Sequence, residues 1–376
     1  MIFLQQIVKK LLKNENNQQI PKFKDICYAF INENNNKRKN MNDIKKIGLT
    51  ALAGSLVAFS ANAAEMSVSG ATLLTYTSED NTETTGNPIG MKTNLAFTAS
   101  GDVNGYTVSY LNTMSDGMNS ISSARLSVDM GDLGTISYDN GSGSGLATID
   151  DKTPTAAEEI WDGLGATGAT VGGLSGFGST GVMNYVNTFG GVTLNAAARR
   201  GSATANSDGS SSASGESSFM DAAITGSADM LGLEGVAWGL GYGEQEAGQE
   251  AVVGGNEGDN TDFTAFVNYT VGPVSVGYQE AAYDAGGAGG TNEYSKRWGI
   301  AFNVNENLSI SYGEAETEYA KAGAAHVTED IDGIAVSYTM GSMKIAGNRN
   351  EGTGIAGTAG VGGQDSMTEI ALSFAF

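Results

Sequence analysis

The 376-residue sequence holds one cysteine, one histidine and four prolines. It contains no apolar run of the roughly 18 residues that a membrane helix needs. Each shortage removes a class of protein. A lone Cys27 supports neither a disulfide framework nor a thiol metal site. A lone His326, set in a loop-like stretch, leaves no partner for imidazole catalysis or a histidine metal cluster. Without a long apolar segment, a helical membrane protein is excluded. The run Gly141-Ser142-Gly143-Ser144-Gly145 has glycine where a nucleophile elbow needs serine, so no hydrolase motif is present. Basic residues are scarce as well: 20 Lys and Arg stand against 42 Asp and Glu, for a net charge of −22. Half of the basic residues precede residue 64, and the remainder of the chain carries 10 against 38, a net charge of −28. That balance argues against nucleic acid or anionic lipid as a binding partner.

What is present falls into two unlike parts. From Met41, the charged start Met-Asn-Asp-Ile-Lys-Lys leads into an apolar run, Ile47 to Phe59, and then Ser60-Ala61-Asn62-Ala63. A charged start, an apolar stretch and an A-x-A site make up a secretory signal peptide, so residues 41–63 are read as a leader cleaved after Ala63. Residues 1–40, rich in Lys, Asn and Ile, are read as an extension from a start codon assigned too early.

Beyond residue 63 the chain is a ladder of short apolar/polar alternating segments. Alternation places successive side chains on opposite faces of a strand. Thus Leu95, Phe97 and Ala99 oppose Lys92, Asn94 and Thr98, while Ala124, Leu126, Val128 and Met130 oppose Ser123, Arg125, Ser127 and Asp129. Trp298, Ile300 and Phe302 oppose Arg297 and Asn303, and Ile370, Leu372, Phe374 and Phe376 close the ladder on one face. Sixteen segments are counted, with starts near 66, 91, 105, 121, 133, 181, 192, 218, 235, 261, 274, 294, 307, 332, 343 and 365. Their connections alternate between tight turns, such as Asp102 to Gly105, and long Gly/Ser/Asp-rich loops, of which 141–180 is the longest. An even count with unlike connections predicts an all-β fold. It is a closed transmembrane antiparallel barrel of about 16 strands, with short periplasmic turns and long outer loops. At this strand number the lumen is too wide to be filled by side chains and holds water. Tyr76, Tyr106, Tyr110, Trp238, Tyr242, Tyr278, Trp298 and Phe376 suit aromatic girdles at the membrane interfaces. The smooth outward stretch Ala196, Ala198, Ala222 and Gly226 suits a subunit interface.

The opening Glu65-Met66-Ser67-Val68-Ser69-Gly70, the segment Leu133-Gly134-Thr135-Ile136-Ser137-Tyr138 and the closing Ile370-Ala371-Leu372-Ser373-Phe374-Ala375-Phe376 together resemble the general bacterial porins of the alphaproteobacterial sixteen-stranded type. The resemblance spans residues 64–376. It implies an outer-membrane channel of a Gram-negative bacterium for small hydrophilic solutes and ions, without enzymatic activity or cofactor, embedded in outer-membrane lipid and assembled as a homotrimer. It implies that Phe376, with Phe374, Leu372 and Ile370, is read by the barrel assembly machinery. It also implies that the third loop folds into the lumen. There Asp150, Asp151, Glu158, Glu159 and Asp162 would face the inward basic residues Lys92, Arg125 and Arg199 across a constriction, with Ile160 and Trp161 anchoring a helical turn to the wall. With so few basic residues a cation preference follows. Acidic loops leave room for weak Ca²⁺ binding. The competing readings are a substrate-specific outer-membrane channel and a secreted β-rich surface protein or adhesin. The latter lacks the fixed-period repeat that a β-helix requires.

Overall fold

The computed structural model describes residues 65–80, 86–115, 120–140, 145–164, 180–200, 218–229, 232–246, 258–286, 290–321 and 324–376. The expected extension and leader lie outside these residues.

Sixteen strands make up the fold. They are β1 (Glu65–Asp80), β2 (Ile89–Val103), β3 (Tyr106–Ser115), β4 (Ser120–Asp129), β5 (Thr135–Asn140), β6 (Thr180–Phe189), β7 (Val192–Arg199) and β8 (Phe219–Ser227), followed by β9 (Val236–Gln245), β10 (Asn260–Val271), β11 (Val274–Asp284), β12 (Thr291–Asn303), β13 (Leu308–Lys321), β14 (Val327–Met340), β15 (Met343–Thr353) and β16 (Asp365–Ala375). Each pairs antiparallel with its chain neighbours, and β1 pairs with β16, so the sheet closes on itself. Reciprocal backbone bonds between Gly70 and Phe376, 2.7 and 2.9 Å long, seal the seam at one rim. Closure leaves no edge strand, the condition for a sheet to stand in hydrocarbon.

The short turns are built by residues suited to them. Between β2 and β3, Asn104 and Gly105 both take positive φ, 56° and 85°. That is the two-residue turn that matches strand twist, and Asn-Gly is its preferred sequence. At the other rim the strands run further than the sequence suggested. The segment expected to start near 332 begins at Val327 and its neighbour runs on to Lys321, so β13 and β14 continue through Glu318 and Asp330. Hydrophobic alternation ends where the apolar surroundings end, whereas the backbone ladder persists with polar side chains above that level.

Exposure along the strands separates the faces. On β14, Ile334, Val336 and Tyr338 are exposed on the outside, while Glu329, Ile331, Gly333, Ala335 and Ser337 are buried on the inside. The proposed girdle residues Tyr76, Tyr106, Tyr110, Tyr242, Tyr278, Trp298 and Phe376 are all exposed large side chains on the outer face. An exposed apolar belt with a polar interior inverts the arrangement of a water-soluble protein.

Candidate functional site: a loop belted across the lumen

Apart from a small cluster of wall residues, Val182, Ala197 and Phe219, the buried core of the barrel is not wall against wall. It is the connection between β5 and β6 packed against the inner face of the wall. The segment 145–164 begins with a short helical turn, Gly145–Ile149, in which Leu146 and Ile149 are fully buried with Ala223 and Phe266. It ends with Ile160, Trp161 and Leu164 against Ala315, Ile331, Ile355 and Met367. Between these apolar ends the backbone is fixed by side chains from successive strands. Asn195 of β7 accepts from the Gly145 N–H at 2.9 Å, and Asp221 of β8 accepts from the Leu146 N–H at 3.1 Å. Gln279 of β11 donates to the carbonyls of Ile149 and Asp150, both at 2.8 Å, and accepts from the Lys152 N–H at 3.0 Å. Asn268 of β10 donates to the Lys152 carbonyl at 2.6 Å, and Ser311 of β13 accepts from the Ala156 N–H at 2.8 Å. Asn350 of β15 donates to the carbonyls of Glu159 and Asp162 at 3.1 and 2.9 Å. The loop is therefore a belt tied from β7 round to β15, each tie satisfying backbone groups that would otherwise be buried without partners.

Missing side chains make room for it. A methyl group on Gly299 would stand 2.8 Å from the Pro154 carbonyl oxygen, and one on Gly333 would stand 2.9 Å from Ile160 Cγ2. Alternation directs both positions inward, so glycine there lets the belt approach the wall backbone closely.

The belt carries the predicted acids. Asp150, Glu159 and Asp162 are half-buried, and Asp151 and Glu158 keep more of their surface open although their carboxyls are partly desolvated. Burial raises the carboxyls of Asp150, Glu158 and Asp162 above their usual range. Asp151 is pushed up to about 6, first by burial and then by the neighbouring charges of Asp150 and Glu159. Crowded carboxylates disfavour one another's charge. On Glu158 the ammonium groups of Lys344 and Lys92 act in the opposite direction, and Lys92 does the same for Asp162.

Of the predicted wall cations, Lys92 is thus brought within electrostatic reach of the belt. Arg199 lies over the Phe219 ring, 4.8 Å from its centroid, on the neighbouring strand. Arg125 is half-buried on β4, in register with Leu111 and Asp139. Ile160 and Trp161 do pack against the wall, as the sequence suggested. The turn they belong to runs from Glu159 to Leu164, with Asp162 N–H bonded to the Glu159 carbonyl and Leu164 N–H to that of Trp161. Sequence reasoning overlooked Lys344, Gln279, Asn350, Glu329 and, above all, Arg297, whose guanidinium lies 3.8 Å from the Trp161 ring centroid. The available signal was glycine at mid-strand positions where alternation calls for an inward side chain. Among the described residues no group of three or more histidine, cysteine or carboxylate side chains gathers to hold a metal ion.

No family model matches the sequence, and no curated protein matches it. Solved structures do. OmpT, an outer membrane protein of Vibrio cholerae, aligns with a TM-score of 0.60 at 13% identity, covering 85% of this chain and 99% of that one. A mutant of the Rh. blastica porin gives 0.54 at 13% identity over 83% and 100% of the two chains. The anion-selective porin from Comamonas acidovorans gives 0.56 at 13% identity with the same coverage. At such identities the likeness is one of fold.

Proposed function

We propose that the chain from residue 64 onward is an outer-membrane porin of a Gram-negative bacterium. It forms a water-filled channel for passive diffusion of small hydrophilic solutes and ions, with a preference for cations and no catalytic role. The observation that carries this reading is the acidic belt tied into the lumen of a sixteen-strand barrel. Alternation lines the free wall opposite it with hydroxyls such as Ser69, Thr75, Thr98, Ser109 and Ser127, which suit water. Around the constriction Asp150, Asp151, Glu158, Glu159 and Asp162 outnumber Lys152 on the belt and the facing Lys92 and Lys344, with Arg125 on β4 and Arg199 on β7 as further wall cations. Such an excess attracts cations into a narrow aqueous path and orients dipolar solutes across it. The fold by itself does not fix the sign of selectivity, since one of the similar structures is an anion-selective porin.

Recording in planar bilayers tests the reading. Steady ohmic single-channel current is expected, with a reversal potential showing K⁺ favoured over Cl⁻. Anion preference would overturn the selectivity, and absence of current would overturn the channel itself. Saturable block by one solute would instead identify a substrate-specific channel. An adhesin would show neither current nor detergent-dependent extraction.

The same reading holds that residues 41–63 are a cleaved leader and residues 1–40 a start-codon artefact, within a porin of the alphaproteobacterial type. Terminal sequencing of material from the outer membrane is expected to begin at Ala64. Phe376, Phe374, Leu372 and Ile370 form the signature read by the assembly machinery, and the barrel works as a homotrimer. One feature of the outer face supports a partner: the outward positions of β2 to β8 carry no ionisable charge among the described residues, whereas those of β9 to β15 carry the acids Glu244, Glu280, Asp284, Glu314, Glu316, Glu318, Asp330, Asp332 and Glu351 against the bases Lys296 and Arg349. A copy of the chain packed on the uncharged half leaves the acidic half at the lipid headgroups.

A further inference from the structure

Among the described residues Arg297 is the largest fully buried side chain, 2% exposed, on the inner face of β12. Its guanidinium is covered by the Trp161 ring at 3.8 Å, its Nε donates to Ser295 Oγ at 3.2 Å, and its Nη1 makes no hydrogen bond among the described residues. Around it stand the carboxylates of Asp151 and Asp150 on the belt and of Glu329 on β14, together with the Tyr319 ring of β13. Glu329 is itself fully buried and is tied to the Ala356 N–H at 2.8 Å and the Tyr319 hydroxyl at 3.4 Å, so it is fixed to the wall. The cation is thus joined to the belt by the Trp161 ring and lies in the field of carboxylates from both belt and wall. Arginine suits this position because its planar face stacks on indole while its edge serves carboxylates, which an ammonium group does not do.

We propose that Arg297 is the positioning residue of the constriction. Stacked on the Trp161 ring and tied through Nε to Ser295 of the wall, it holds the acidic turn Glu158 to Asp162 at a fixed place opposite Lys92 and Lys344. Asn350 ties two carbonyls of this turn and Ser311 ties the backbone just before it, but no other charged side chain stacks on Trp161 among the described residues. The inference rests on the channel reading for its consequence and on the belt contacts for its mechanism, so two readouts are needed.

The sequence has three tryptophans, and a Trp238→Phe, Trp298→Phe background leaves Trp161 as the sole fluorophore. In that folded protein, Arg297→Met is expected to raise acrylamide quenching of Trp161 about twofold or more. Arg297→Lys should fall between it and the parent. In bilayers, Arg297→Met and Trp161→Leu in the native background should each raise single-channel conductance and lower the K⁺ preference. The double variant should do no more than either alone, since both remove one interaction. Trp161→Phe, which retains a stacking ring, should restore parental behaviour. Quenching, conductance and reversal potential all unchanged in a heat-modifiable Arg297→Met barrel would overturn the proposal. So would effects of the two single variants that add in the double. Should Arg297→Met fail to fold, Trp161→Leu alters only the belt, and unchanged conductance in it is equally fatal. A parent protein that passes no current while Arg297→Met still frees Trp161 would sink the channel reading and leave the clamp standing.

Discussion

At the scale of single residues, the lumen is shaped as much by absent side chains and by amides as by charge. Gly299 is the sharpest case, because the atom facing its missing side chain is the backbone oxygen of Pro154, which cannot rotate away. Gly299→Val is expected to displace the belt near Pro154 and to lower barrel stability by about 1–3 kcal/mol through overpacking. Urea unfolding in detergent measures the loss, and single-channel current should change in the same variant. Gln279 presents the complementary case, as one buried side chain satisfies two carbonyls and one N–H of the belt. Gln279→Leu keeps the size and strands all three, so a cost of about 1–3 kcal/mol for each group left dry sets the scale. The visible result should be noisier open-channel current rather than a lost barrel. A quiet channel of unaltered conductance would show that Gln279 does not hold the belt. Neither residue stands out in the sequence. A glutamine or glycine at an inward position reads as one more polar alternation until the loop that it meets is known.

At the scale of elements, the strands and turns were legible while the path of the belt was not. Alternation identified all sixteen strands, since period two is imposed on every segment lying between lipid and water. It ended β13 too early and began β14 too late, where Glu318 and Asp330 continue the ladder beyond the apolar zone. The belt has no period to read, because each of its contacts is with a residue far away in the chain. Its length and acidity were plain, its ties to β7 through β15 were not. Two expectations belong at this scale. On the belt, Asp151 titrates near 6 instead of near 3.8 and its neighbours are also raised, so the native loop binds protons that the undocked loop would not. Docking is therefore favoured at low pH, and this contribution is lost as pH rises through about 6. Conduction changes along with it. Between pH 7 and pH 5 the K⁺ preference should decline as Asp151 loses charge, while the belt stays seated. Reversal potentials measured across that range check the sign, and a K⁺ preference that grows on acidification contradicts it. On the outer face, Glu314, Asp332 and Glu351 lie directly opposite one another on three successive strands. Arg349 relieves Glu351 at 2.6 Å, and Trp298 and Tyr312 donate to Glu314 at 3.1 and 2.7 Å. Like charges facing across a ladder are destabilising, so Asp332→Asn should stabilise the barrel by about 0.2–1 kcal/mol. The gain should be largest at low salt in thermal unfolding, because screening removes the repulsion.

At the scale of the whole molecule, a barrel with one uncharged half and one acid-edged half poses a question of surroundings. Both halves are apolar at mid-height, and lipid alone would explain each of them separately. Lipid does not account for the difference at the outer rim, where headgroups accept charge equally well on every side. A second copy of the chain does, because a partner excludes water and ions from the half it covers, and an unmatched carboxylate there would be left dry. The smooth patch of Ala196, Ala198 and Ala222 lies on that half. Fluid acyl chains yield to one large apolar side chain, whereas a packed protein interface does not. Ala196→Trp should therefore shift the unheated protein from trimer to monomer on a detergent gel. Val336→Trp, on the acid-edged half, should leave the trimer intact because its outward side chain meets lipid. The reverse pattern would place the interface on β9 to β15. Equal tolerance of both substitutions, with monomers throughout, would mean that the uncharged half faces lipid and that each barrel conducts alone.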